Sequence, residues 1–74
     1  MTDRKLQDGL REILEEIINA QGDEDDELAE LAELLPPMES VATFHDEGVL
    51  TTDKGLIIEF EDGTAFQVTI IRSR

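Results

Sequence analysis

Three short acidic triplets that end in glycine limit how the second half of this chain can pair: Asp46-Glu47-Gly48, Asp53-Lys54-Gly55 and Glu61-Asp62-Gly63. Each stands between runs rich in β-branched or aromatic residues, the pattern of hairpin loops between strands. The last triplet fixes a register. A two-residue Asp62-Gly63 turn would place Phe60 opposite Ala65 and Phe66 opposite Glu59, mixing core and solvent residues on one face. A three-residue loop, with Gly63 left-handed at the bulge position, places Ile58 opposite Phe66 and Leu56 opposite Val68. The same loop length at the other two triplets pairs Phe44 with Leu50 and Leu50 with Ile58. Phe44, Leu50, Leu56, Ile58, Phe60, Phe66, Val68 and Ile70 then share one face of a four-stranded antiparallel meander.

Ahead of the meander the period changes. Leu6, Leu10, Ile13, Leu14, Ile17 and Ile18 recur every three or four residues, an apolar stripe at helical spacing. Thr2 or Asp3 can cap the start, and Gly22 is placed to end the helix in the left-handed conformation. That gives a helix of roughly 18 residues, about 27 Å long. Asp23 to Glu27 are five consecutive acids, readable as the first turn of a second helix, where carboxylates meet free amides and oppose the dipole. Leu28, Leu31, Ala32 and Leu35 carry its stripe, and Pro36-Pro37 stops it. Two antiparallel helices with a short connection form an αα-hairpin, and its apolar side needs the same cover as the sheet's even face. The expected architecture is therefore a single α+β domain over 1–74, an N-terminal αα-hairpin over 1–35 packed on one face of a four-stranded antiparallel β-meander over 38–72. Met38 fills a gap near the crossover.

A chain of 74 residues without cysteine has neither a large core nor disulfides to support it, so packing or self-association must supply the stability. The absence of cysteine fits a reducing cytosol, and no apolar run approaches membrane-spanning length, which points to a cytoplasmic protein. Charge is its outstanding property: 19 acidic against 6 basic residues, net −13. Residues 1–35 hold 12 acids and 3 bases, net −9, and residues 36–74 hold 7 acids and 3 bases, net −4. Direct nucleic-acid binding and anionic membrane surfaces call for clustered Lys and Arg, so both are disfavoured. A basic protein partner is the natural complement.

Catalytic chemistry finds no support in the residue pattern, and no cofactor is implied. His45 is the single histidine, beside a turn, and Ser40 and Ser73 stand outside any nucleophile pattern. Asp23, Asp25 and Glu27 alternate as calcium-loop ligands do, yet Leu28 and Leu34 occupy the sixth and twelfth positions, where an EF-hand needs glycine and glutamate. The expectation is a non-enzymatic protein without a metal. On the odd face of the meander, Val41, Thr43, His45, Val49, Thr51, Ile57, Glu59, Glu61, Ala65, Gln67, Thr69 and Ile71 follow one another; Val41, Val49, Ile57 and Ile71 are large enough to form an apolar patch, with Ile57, Val49 and Ile71 as the expected self-association surface of a homodimer.

The hairpin Leu56 to Ile70 resembles those ending many small phage proteins, and the acidic whole is similar in kind to phage inhibitors that mimic nucleic acid, anti-CRISPR proteins among them. The resemblance implies a phage-encoded accessory protein acting in the host cytoplasm. Two functions follow from the residues. In the first, Glu12, Glu15, Glu16, Asp23, Glu24, Asp25, Asp26, Glu27, Glu30 and Glu33 form an inhibitor surface that occupies a basic, nucleic-acid-binding site on a partner protein. Asp8/Glu12 and Glu12/Glu16 are like-charge pairs at four-residue spacing, a cost of a few tenths of a kcal/mol each that stability alone does not explain. In the second, the chain is a small dimeric structural or adaptor protein whose acidity serves solubility.

Overall fold

A computed structural model describes residues 1–49 and 51–74. Helix α1 spans Asp3–Ala20, 18 residues, as the stripe and its flanking signals require. Thr2 is its N-cap, with Oγ1 accepting from the Lys5 amide at 3.1 Å. Gln21 ends it, and Gly22 follows with φ +82°.

The second helix is a single turn, α2, Ala29–Ala32. The expected αα-hairpin is thus one long helix and one turn. Asp23 and Asp26 use their carboxylates on their own loop, accepting from the amides of Asp25 (3.1 Å) and Leu28 (2.8 Å). Such bonds compete with helix formation, and the few residues left before Pro36 cannot offset the cost of nucleating a longer helix.

Among the described residues the sheet has three strands, not four: β1 (Met38–Thr43), β2 (Lys54–Phe60) and β3 (Ala65–Ile70), antiparallel in the order β1-β2-β3. The C-terminal hairpin has the expected register, Ile58 opposite Phe66 and Leu56 opposite Val68. Gly63 has φ +91°, and the Phe60 amide donates to the Thr64 carbonyl across a three-residue loop. Asp62 holds this loop by accepting from Thr64 Oγ1 (2.6 Å) and Thr64 N (2.9 Å); the hydroxyl bond first, then the amide bond, keep its carboxyl below its ordinary pKa.

The middle triplet departs from expectation. Lys54 and Gly55 belong to β2 rather than to a loop, so β2 pairs directly with β1. The pairings expected of Leu50 lie outside the described residues. Gly55 is buried because the Phe44 ring lies where its side chain would be; a Cβ there would overlap the ring and the Val68 carbonyl.

A register shift between Met38 and Ser40 changes parity within β1. Met38 faces Phe60, but Val41 faces Ile58 and Thr43 faces Leu56, so odd residues of β1 share a face with even residues of β2. Val41 and Thr43, expected on the outer face, are buried, while Phe44 lies over Gly55.

Helix α1 packs on β1 and β2, with α2 against its C-terminal end. Ile17, Ala20, Ala32 and Met38 form the core, joined by Leu14, Ile18, Leu28, Ile58 and Phe60. Two glutamines clamp the helix to the sheet. Gln7, 5% exposed, accepts the Gly55 amide on Oε1 at 3.0 Å. The Phe44 carbonyl would ordinarily take that amide across the ladder, but it accepts from Val49 in the following turn instead. At the far end Gln21 Oε1 accepts the Met38 amide (2.8 Å), and Nε2 donates to the Pro36 carbonyl (3.0 Å). These contacts set α1 parallel to β2.

The apolar stripe is only partly covered. Leu6 and Ile13 are 40% and 60% exposed, and on β3 Phe66 and Val68 are 59% and 42% exposed. Both pairs were expected in the core. For β3 the reason is width: one helix, about 10 Å across, covers the two strands it lies on and leaves the third bare. Phe60 and Phe66 meet edge to face, ring centroids 5.6 Å apart, at the margin of the covered region.

Candidate functional site

No Lys or Arg occurs between Arg11 and Lys54, and all ten carboxylates from Glu12 to Glu33 fall in that interval. The structure distributes them over three adjoining elements. Buried Gln7, Ile17 and half-buried Leu14 mark the inner side of α1, and at 100° per residue Glu12 projects from the opposite side. Glu12 and Glu16 are exposed; Glu15 is half-buried and bonded to Arg11 at 3.0 Å. Arg4 approaches Asp8 at 3.9 Å. The bases thus neutralise the first half of α1 and leave the second half negative.

Asp23 to Glu27 wrap around the C-terminal end of α1, all exposed except half-buried Asp26. That end already carries the negative pole of the helix dipole, and the last turn of α1 has no basic residue. Acids opening a long second helix would offset this placement, but α2 is one turn and begins beyond them at Ala29. Glu30 and Glu33, both exposed, extend the surface along α2 and its end. The loop is nevertheless ordered by its own bonds: the Asp26 amide donates to the Asp23 carbonyl and the Ala29 amide to the Asp26 carbonyl, beside the two carboxylate bonds already described. The result is a shaped, acidic end of the molecule. Among the described residues no group of three or more His, Cys, Asp or Glu is arranged to hold a metal ion.

The three residues expected to mediate self-association are separated. Ile57 is half-buried on the sheet face away from α1, Val49 is half-buried in the connection between β1 and β2, and Ile71 is 75% exposed just past β3. Within the strands the exposed large apolar side chains are Phe66 and Val68 of β3. His45 is exposed in the turn after β1, beside a cleft of 580 Å³ whose walls include Arg4, Gln7, Arg11 and Lys54. Sequence reasoning passed over the two glutamine clamps. Their signal was present: Gln7 and Gln21 stand 14 residues apart with Leu14 midway, polar residues on the buried line of the helix at both of its ends.

Among the described residues no helix is long and apolar enough to cross a membrane. Compared with protein-family models, curated proteins and solved structures, the chain matches none.

Proposed function

We propose that this protein is a non-enzymatic inhibitor whose acidic end occupies a basic, nucleic-acid-binding surface of a partner protein, in the manner of phage-encoded anti-defence proteins. One observation carries the reading: Asp23 to Glu27 lie against the negative end of α1 with no long helix beyond to stabilise them. Like charges placed there reduce stability, and solubility would be served equally by carboxylates elsewhere on the surface. Together with Glu12, Glu16, Glu30 and Glu33 they present a patch of negative charge that a groove tracking a phosphate backbone can accept. Association driven by such a patch is fast and falls steeply with salt.

The test is a nuclease-treated pulldown from the native host at low and high salt, with the wild type and with the variant Asp23→Asn, Asp25→Asn, Asp26→Asn, Glu27→Gln. The amides retain the carbonyl oxygens that accept the loop's hydrogen bonds, so the fold is kept while four charges are lost. A basic nucleic-acid-binding protein captured at low salt, released at high salt and missed by the amide variant is the expected result. Partners retained equally by both forms would remove the acidic end from the function.

A further inference from the structure

We propose that β3 is a self-pairing edge through which two copies of this chain join into one six-stranded sheet; the proposal does not depend on the inhibitor reading. In the order β1-β2-β3, β3 has one open side, and its residues are exposed from Ala65 to Thr69, whereas β1, the other edge, is buried or half-buried except at Glu39. Pairing with β2 engages the backbone groups of even residues, as in the bond from Phe60 N to Thr64 O, so those of Ala65, Gln67 and Thr69 point outward without a strand to receive them. An exposed edge of this kind is a template for another strand.

Charge selects a second copy as the occupant. Residues 64–74 contain no acidic residue and two arginines, net +2, while residues 1–63 contain 19 acids and four bases, net −15. In so acidic a molecule this edge is the stretch where two copies can meet without repulsion. An antiparallel register with its two-fold at Val68 pairs Gln67 with Thr69 of the mate and sets Ala65 opposite the mate's Ile71, just past its strand. The same register sets Val68 against Val68 and Phe66 against Ile70, covering side chains that one helix leaves bare. It also carries Arg72 and Arg74 past the end of the mate's strand to its Glu61-Asp62-Gly63 loop, so the strand's two bases meet two carboxylates. A two-fold interface of this form closes on itself, so pairing stops at the dimer.

Sedimentation on the full chain tests this. The wild type should behave as twice the 8.3 kDa chain mass at a concentration on the order of 100 µM. Thr69→Pro removes an outward amide and spares the β2 ladder, a substitution edge strands accept, and it should give a folded monomer by circular dichroism. Should that variant fail to fold, charge reversal decides. Arg72→Glu with Arg74→Glu in one chain, and Glu61→Lys in another, should each weaken self-association by about tenfold or more, and mixing the two should restore it as a heterodimer. A wild type that stays monomeric at ten times that concentration overturns the proposal. So does a folded Thr69→Pro dimer, or a pair of charge variants that associate as the wild type does and gain nothing on mixing.

Discussion

Gln7 shows how much one side chain contributes to joining helix and sheet. Its Oε1 takes the buried Gly55 amide because the Phe44 carbonyl, the usual ladder partner, has turned away to Val49. Gln7→Leu keeps the size and apolar character of the stripe but leaves that amide without an acceptor. The expected loss is about 1–3 kcal/mol, the desolvation cost of an unsatisfied buried donor, read as a lower urea midpoint with the m-value unchanged. A midpoint within a few tenths of a kcal/mol of wild type would mean that the Gly55 amide finds another partner. A polar residue on an apolar stripe is visible in the sequence. Its target is not, because Gly55 lies 48 residues away and the need arises only when Phe44 diverts its carbonyl.

At the scale of elements, the hairpin from Leu56 to Ile70 and helix α1 follow from local chemistry. Gly63 supplies a left-handed conformation within three residues, and side-chain parity then fixes the register, since a slip of one residue would exchange the two faces. Gly63→Val places a β-branched residue at φ +91° and should destabilise by more than roughly 1 kcal/mol in thermal or urea unfolding. An unchanged stability would show that the loop relaxes to another turn. The second helix and the start of β2 were less legible because short segments let neighbours outweigh propensity. The carboxylates of Asp23 and Asp26 bond within their own loop, and Lys54-Gly55 join β2 because Phe44 packs where only glycine leaves room. The parity change in β1 arises from a bulge, which no alternation of residue types announces.

Considered whole, the molecule holds a net charge of −13 over a small core, and among the described residues its two ion pairs are i,i+4 contacts on α1, Arg4–Asp8 exposed and Arg11–Glu15 half-buried. Helix-surface pairs at this spacing contribute little, so repulsion among the acids is largely uncompensated. Raising sodium chloride from low to about 0.5 M shortens the screening length well below 10 Å and should raise the melting temperature. A relief of about 1 kcal/mol corresponds to about 4–8 °C for a domain of this size. A melting temperature that stays level or falls with salt would mean that the acids are already spaced beyond mutual reach.

The sequence by itself determined the long helix with its caps, the C-terminal hairpin with its register, and an acidic interval from Glu12 to Glu33 uninterrupted by any base. Each depends on residues near one another in the chain, where period, capping and turn chemistry act directly. Tertiary structure decided what is covered. Phe66 and Val68 carry the same apolar signal as Leu56 or Ile58, and only the width of one helix lying over two strands separates the exposed residues from the covered ones. It likewise decided that Asp23 to Glu27 stand at the negative end of α1 instead of opening a second long helix, because that depends on where the chain stops being helical and what it then packs against.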